Sequence, residues 1–540
     1  MNVKLRAFVA GVAGMAVALG VAELIHGFYE PVPSLSVAVS QRLIVLMPIS
    51  ITEIAIGFLG EADIPVLVTT TVILTLVFAG LLARLALRSV TAALVGVVVL
   101  GAIGITASLF EPAVRPVAAV LTVVGALGIG AGVSGLLMYT SGLQRAEATS
   151  PPEPSGSDEG KEPQGSRSRE AGSGRGIAVS RRNFAVLSGV AVVAGLTSAG
   201  VGRLLIQQGV QATGATTPGT RVSNAQQMLP PAPSGASIDA PGMPQLFTPN
   251  EDFYLIDTTI SPPRINRDNW TLKVMGEVDN PIELSYDELV SLPTREADIT
   301  LSCISNELGG GLVSNARWTG VLLSDVLEEA GLSGDKISSA SEQLVGRSAD
   351  EWTSGFPSDL AFDGREALVA FGMNGDELPL DHGYPVRLVV PGLYGYVSAT
   401  KWLTEIELTD WGFDAYWIKR GWSKEGPILT QSRIDTVKRG DRLQAGTVQI
   451  GGVAWAPTRG IERVEVSTDD GESWDDATLA TQLDLDAWRL WIYDWDPSPG
   501  EHTIKVRATD GHGETQTENE TAPHPSGATG YHTVDATVAS

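Results

Sequence analysis

The chain has 540 residues, enough for more than one domain, with 37 Lys+Arg against 62 Asp+Glu, a net charge of −25 and a single cysteine. Residues 1–209 carry 14 basic against 12 acidic side chains, leaving 23 against 50 beyond. That acidic second part argues against a nucleic-acid partner and suits a high-salt habitat or a cationic redox partner. One cysteine excludes an intrachain disulfide, so an exported location has to rest on other signals.

In chain order the first element is an apolar run from Leu5 to Phe28, preceded by Lys4 and Arg6. A bilayer crossing needs about 20 apolar residues, and the positive-inside rule starts this run in the cytoplasm. Further spans are predicted from Ile64 to Leu82, Val90 to Phe110 and Val117 to Tyr139, with Arg84 and Arg88 between the first two. Leu43 to Leu59 holds Pro48 and Glu53. As a span it would place those arginines outside, so it is read as an interfacial or re-entrant helix. His26 and Glu53 are the ionisable residues predicted at membrane depth; such residues are functional by default, but snorkelling near a helix end is the simpler account.

From Thr149 to Gly176 the chain is Pro, Gly, Ser, Glu and Arg, with too little apolar surface to fold. A disordered cytoplasmic linker is expected over 146–180, after a membrane region over 1–145. Ser180-Arg181-Arg182-Asn183-Phe184 then opens an apolar run to Ile206. It resembles a twin-arginine export signal; two arginines marking the cytoplasmic end of an ordinary membrane helix are the simpler alternative. No small-residue cleavage site stands in the usual place, so 181–206 is read as a retained signal anchor. Five spans from a cytoplasmic start leave the rest outside the cytoplasm, beginning with a Pro-rich polar tether over 207–244.

Beyond it strand and helix signals mix. Trp270 to Gly276 alternates as a strand, Ser285 to Leu292 begins like a capped helix, and Leu322 to Ala330 reads as an amphipathic helix, which suggests an α+β layer over 245–425. From Arg433 only strands are predicted: Thr447–Ala454, Ile461–Ser467, Trp488–Tyr493, His502–Ala508 and Gly530–Val538, separated by turns such as Asp469-Asp470-Gly471. Short strands at that spacing read as an antiparallel β-sandwich over 426–540, with Trp455, Trp474, Trp488 and Trp491 as core residues.

The one cysteine lies in Ile299-Thr-Leu-Ser-Cys303-Ile-Ser-Asn306-Glu-Leu-Gly309-Gly-Gly311, after a β-prone run and before a Gly-rich loop. A thiolate where a strand ends and a loop opens is placed to ligate a soft metal; a small buried hydrophobe is the plainer reading of a lone thiol. Further on stand Asn374-Gly375, Leu378-Pro379, His382-Gly383-Tyr384-Pro385-Val386-Arg387, Val390-Pro391-Gly392 and Thr400-Lys401-Trp402.

Taken together these stretches resemble the sulfite oxidase family of molybdenum-pterin oxidoreductases, whose pattern is a cysteine loop, then Asn-Gly, Leu-Pro, His-Gly-aromatic-Pro-Val-Arg and Val-Pro-Gly, then Lys-Trp. The resemblance spans roughly 245–538. It implies that Cys303 is the protein thiolate on a molybdenum otherwise held by a pterin dithiolene, and that His382, Arg387 and Lys401 hold the cofactor's phosphate. It also implies that Tyr254, Asp257 and Thr259 line the pterin, that Asp350 is a polar pterin contact, and that Thr400 offers its backbone beside Lys401. Its C-terminal domain is immunoglobulin-like and supplies a homodimer interface in relatives.

Departures from the pattern bear on the substrate. Sulfite oxidases place arginines where this chain has Asp257, Glu307 and Leu308, and acidic groups there would repel sulfite. A sulfoxide or N-oxide reductase, or oxidation of a neutral or cationic small molecule, fits the charges better, with sulfite oxidation as the alternative. Asp257 is thereby placed beside Cys303 as a catalytic candidate. With Cys303 engaged, no Cys-x-x-Cys-His present and one membrane histidine, neither haem nor an iron–sulfur cluster is expected. Electrons must then pass to or from a separate carrier or quinone. The predicted whole is a multi-pass cell-membrane protein with an extracytoplasmic catalytic half; a membrane structural protein with an inactive redox domain is the alternative of another class.

Overall fold

The computed structural model describes residues 2–29, 32–47, 63–111, 114–140, 181–212, 221–222 and 225–539. They form two compact units, Met1–Gly209 and Val210–Ser540, each treated by itself.

Among the described residues the first unit has six helices: α1 (Val3–Phe28), α2 (Leu35–Leu46), α3 (Asp63–Ala86), α4 (Val90–Leu109), α5 (Pro116–Thr140) and α6 (Arg181–Ala212). All but α2 contain stretches long and apolar enough to cross a membrane. Asn2 caps α1 by accepting from the Leu5 N–H at 2.8 Å. Small residues let α1 lie backbone to backbone with its neighbours. A Cβ on Gly14 would collide with the Gly130 carbonyl of α5, and one on Gly20 with the Gly195 carbonyl of α6.

The polar residues of this unit differ from expectation. Of the helix expected over 43–59, only residues 43–47 are described, and they lie at the end of α2, which Ser34 caps; the rest, with Pro48 and Glu53, lies outside the described residues, as does the linker 146–180. Glu23, which the sequence reading passed over, is buried on α1 and accepts from Ser34 Oγ at 2.5 Å and Ser36 Oγ at 2.9 Å. His26 donates from Nδ1 to the Val32 carbonyl at 2.6 Å.

The second unit opens with a correction. Residues 225–244, read as a free tether, lie along the catalytic sheet: Glu296 N donates to Gln227 O at 3.0 Å, Leu229 N to Glu296 Oε2 at 2.8 Å, and Ala236 is buried. A Pro-rich segment satisfies its backbone as well at a sheet edge as in water.

Two sheets then form. Strands β1 (Thr271–Gly276), β2 (Ile282–Ser285), β5 (Gln343–Ser348), β6 (Thr353–Pro357) and β10 (Leu403–Thr409) run in the order β2-β1-β10-β5-β6. Strands β3 (Thr294–Ser302), β4 (Val313–Leu322), β7 (Leu368–Met373) and β8 (Asp376–Glu377) form the other, with β9 (Arg387–Val389) beside β7. The helices here are short: α7 (Tyr286–Ser291), closed by a Ser285–Glu288 capping box, α8 (Leu323–Glu329) and α9 (Gly395–Ser398). The domain is therefore richer in strand than the sequence signals suggest.

The remainder is two facing sheets, β11-β13-β17-β16 and β12-β19-β18-β14-β15, around one core that includes Ile450, Val464, Trp491 and Ile504. Their strands are β11 (Gln431–Ile434), β12 (Asp441–Leu443), β13 (Val448–Trp455), β14 (Ile461–Ser467), β15 (Asp475–Asp476), β16 (Thr478–Leu479), β17 (Arg489–Trp495), β18 (Gly500–Asp510) and β19 (His532–Val538). Trp455, Trp488 and Trp491 are buried. Trp474 is not: it lies half-exposed under the Arg507 guanidinium, 4.2 Å from ring centre to Cζ, and packs edge-on to Tyr531.

Candidate active site around Cys303

Alternation along β3 buries Ala297, Ile299 and Leu301 on one face, where they share a cluster with Trp318 of β4. The strand stops at Ser302 because the next residues turn. Asn306 N donates to Cys303 O at 3.1 Å, Cys303 N to Leu312 O at 2.9 Å, and Leu312 N to Asn306 Oδ1 at 2.8 Å. The result is a closed loop that leaves Cys303 half-buried at its root with Ser305 Oγ 2.9 Å from the sulfur. Burial pushes the thiol up, and the Ser305 hydroxyl opposes this.

The loop is finished by the C-terminal domain. Arg433 donates from Nη1 to Gly310 O at 2.9 Å while its Nε holds Asp435 at 2.8 Å. The His532 ring lies so close to Gly309, at φ +72°, that any Cβ there would collide with it. Burial lowers His532 to about 4, so the ring is neutral, and its Nδ1 accepts from Ile434 N at 3.0 Å. Glycine is required at 309 on both counts, conformation and space.

Tyr254 neighbours the thiol. Its N–H donates to Ser314 Oγ at 3.2 Å, and its ring stacks on buried Phe253 at 5.4 Å between centroids. Burial raises its phenol, the neighbouring Cys303 adds to the rise, and Arg387 opposes it. Tyr394, in the loop before α9, also feels Cys303 and is pushed up to about 12, chiefly by burial. Sequence reasoning did not single out Tyr394, although it lies inside the Val-Pro-Gly-Leu-Tyr-Gly run.

Arg387 heads β9 and is buried. Its Nη1 donates to His382 O at 3.0 Å and its guanidinium lies 5.1 Å from the Trp318 ring centre, and no carboxylate among the described residues pairs with it. Desolvation pulls it down to about 10. A buried cation with only carbonyl partners is costly unless an anion arrives. His382 donates from Nε2 to Asn250 O at 2.9 Å, and burial with the Arg387 charge lowers it to about 4, so it is neutral.

Lys401 is ion-paired with Asp257 and donates to Asp381 O at 2.9 Å. Burial raises Asp257 to about 6 against the opposing pull of Lys401, with Asp350 and Asp381 adding to the rise. Asp350 accepts from Trp352 N at 3.2 Å. Two expected residues sit differently. The Thr400 hydroxyl faces Ser354 Oγ at 2.7 Å and its carbonyl accepts from Leu388 N, while the Thr259 hydroxyl turns within its own loop to Ser261 O at 3.0 Å. The charge expectation also changes: Asp257 is neutralised by Lys401, and Glu307 is exposed.

Among the described residues no three His, Cys, Asp or Glu side chains cluster as metal ligands. A metal at Cys303 would take one protein ligand and the rest from a cofactor, and Arg387, whose hydrogen bonds go to backbone carbonyls and which forms no ion pair among the described residues, is suited to that cofactor's anionic end. The donor set thus fits a metal carried in by an organic anion.

Comparisons with known proteins agree with this geometry. Residues 259–417 match the oxidoreductase molybdopterin binding domain and 426–527 the Mo-co oxidoreductase dimerisation domain. Mitochondrial sulfite oxidase of Homo sapiens is 31% identical over 289 residues, covering 45% of this chain and 52% of that protein. NADH nitrate reductase of Spinacia oleracea is 28% identical over 271 residues, 41% of this chain and 29% of that protein. The chain thus spans about half the length of the sulfite oxidases it matches. Among solved structures, the sulfane dehydrogenase SoxCD from Paracoccus pantotrophus aligns over 55% of this chain and 81% of that chain, with 22% identity and a TM-score of 0.44.

Proposed function

The chain belongs to the sulfite oxidase family of molybdenum-cofactor oxidoreductases, and from that premise we propose a membrane-anchored enzyme that transfers one oxygen atom and two electrons to or from a small substrate outside the cytoplasm. The observation that carries the reading is Cys303 at the root of its closed loop, with the Tyr254 and Tyr394 phenols feeling its charge and a buried Arg387 nearby in the fold that, among the described residues, donates only to backbone carbonyls. When bound, a molybdenum-pterin supplies the two-electron oxygen-atom chemistry. Cys303 would ligate the metal. Arg387 would answer the phosphate, aided by Lys401, with neutral His382 fixing the backbone it leans on. Asp350 and the Tyr254–Asp257 segment would line the pterin.

The Tyr254 and Tyr394 phenols would donate to a substrate oxygen beside the thiol. The loop from Cys303 to Leu312 carries no lysine or arginine, which favours a neutral sulfoxide or N-oxide over a dianion. For a sulfoxide the sulfur–oxygen bond breaks: two electrons and two protons convert it to the thioether and one water, with a one-electron carrier as reductant. Sulfite oxidation is the second reading, favoured by the names of the relatives, and it regains ground because Asp257 is ion-paired with Lys401. The C-terminal sandwich, immunoglobulin-like by its resemblance, would pair two copies; membrane helices, cytoplasmic start and retained anchor complete the proposal. An inactive redox domain is disfavoured by the intact set of Cys303, His382, Arg387 and Lys401.

Purified protein should hold molybdenum and pterin in equal amount and reduce sulfoxides with a viologen donor. Cys303→Ser should abolish turnover and change the metal's spectrum with the fold retained; an unchanged spectrum would remove Cys303 from the metal, and sulfite-dependent ferricyanide reduction alone would select the second reading.

A further inference from the structure

The C-terminal domain does more than brace the cysteine loop. Between β18 and β19 the chain makes a strap, residues 516–530, fixed at its base by Gln516 Nε2 to Gly530 O at 3.0 Å, Gln431 Nε2 to Ala528 O at 2.8 Å, and the Thr521–Thr529 hydroxyl pair at 2.9 Å. Its body touches both the cysteine loop and the loop before α9. Gly530 lies against Leu308 of the cysteine loop, where a Cβ would come within 2.7 Å of Cδ1. Gly527 lies against the Tyr394 hydroxyl at the same spacing. His524, exposed at the tip, packs edge-on to Trp422 at 5.0 Å, and Ser423 N donates to Pro525 O at 3.0 Å. Trp422 in turn meets Tyr396 of α9 at 6.1 Å.

We propose that this strap is the outer wall of the passage to Cys303 and sets which substrates enter it. The wall is aromatic at Trp422 and His524, apolar at Leu308, and acidic at exposed Glu307 and Glu520. Aromatic faces hold apolar or cationic groups, and acidic rims slow anions. The passage therefore takes uncharged or cationic organic oxides whose substituent lies on Trp422, and it discriminates by the size of that substituent. The substrate class rests on reading Cys303 as the reactive centre; the wall itself does not.

The single cysteine makes the wall measurable without turnover. In the full-length chain made without cofactor, iodoacetamide and a bulky fluorescein maleimide both report on Cys303 alone. His524→Ala and Thr521→Ala should each raise the maleimide rate about tenfold, the scale of a size-selective pocket, while leaving the iodoacetamide rate within about twofold. Unchanged rates with both reagents would show that the strap lies away from the passage, and equal acceleration of both would show general loosening; either result overturns the proposal. In the loaded enzyme the same variants should raise the kcat/KM ratio of an aryl sulfoxide to dimethyl sulfoxide. If the alkylation shift appears and no sulfoxide is reduced, the substrate reading fails and the wall stands.

Discussion

Trp488 donates its backbone N–H to Thr300 Oγ1 at 2.7 Å, and the Thr300 N–H donates to Asp486 O at 2.9 Å. The Thr300 hydroxyl passes its own proton to Asn315 Oδ1 at 3.0 Å. One buried threonine of β3 thus joins the catalytic sheet to the C-terminal domain directly upstream of Cys303. Thr300→Val keeps the shape and strands both the Trp488 donor and the Asn315 acceptor. It should cost roughly 1–3 kcal/mol, read as a lower thermal midpoint; an unaltered midpoint would show that the clamp contributes nothing.

Asp257 gives the site its acid limb. Its folded pKa of about 6 lies above the ordinary carboxylate value, so the neutral acid is the form the fold prefers, and stability from this group falls as pH rises from about 4 towards 6. Function runs the other way. Below pH 6 the carboxyl takes a proton and the ion pair that fixes Lys401 and the Tyr254–Asp257 segment is lost, so activity should fall as pH drops through that value. Asp257→Asn should flatten this limb; a variant with the same acid limb would assign it elsewhere.

The twin arginines that open α6 matter if the domain is exported already folded and loaded. Replacing Arg181 and Arg182 by Lys conserves charge, which is all a positive-inside boundary needs, and removes the guanidinium pair. Protease accessibility in intact cells should then show the catalytic domain on the cytoplasmic side, and normal external activity would reject the export reading.

The purified enzyme should lack haem and iron–sulfur absorption in stoichiometric amount, because on the proposed reading its one thiol would be taken by the metal, and its first unit offers a single histidine. Electrons would cross to a docked carrier. The acidic second unit favours a cationic one, with an association rate that falls as salt rises. A rate indifferent to salt would point to a membrane quinone.

What could be read in the sequence was what lies close in the chain. The strand into Cys303, the Gly-rich loop after it and the His382–Arg387 turn each follow from local chemistry, and the five apolar helices from composition alone. Missed features depend on distance in sequence. Nothing adjacent to Asp257 announces that Lys401 will neutralise it, and that pairing changed the substrate argument drawn from charge. Glu23 was missed because the two serines that satisfy it stand beyond the end of its own helix. Trp474 was misplaced since a tryptophan under an arginine and one in a core look alike in a strand pattern.

His532, the ring that closes against Gly309, is synthesised more than two hundred residues after Cys303. While the ribosome is still making the C-terminal domain, the thiol loop lacks both the ring packed on Gly309 and the Arg433 donor to its Gly310 carbonyl. The closed form of the loop therefore depends on residues made last, and it is completed by a glycine too crowded to carry a side chain.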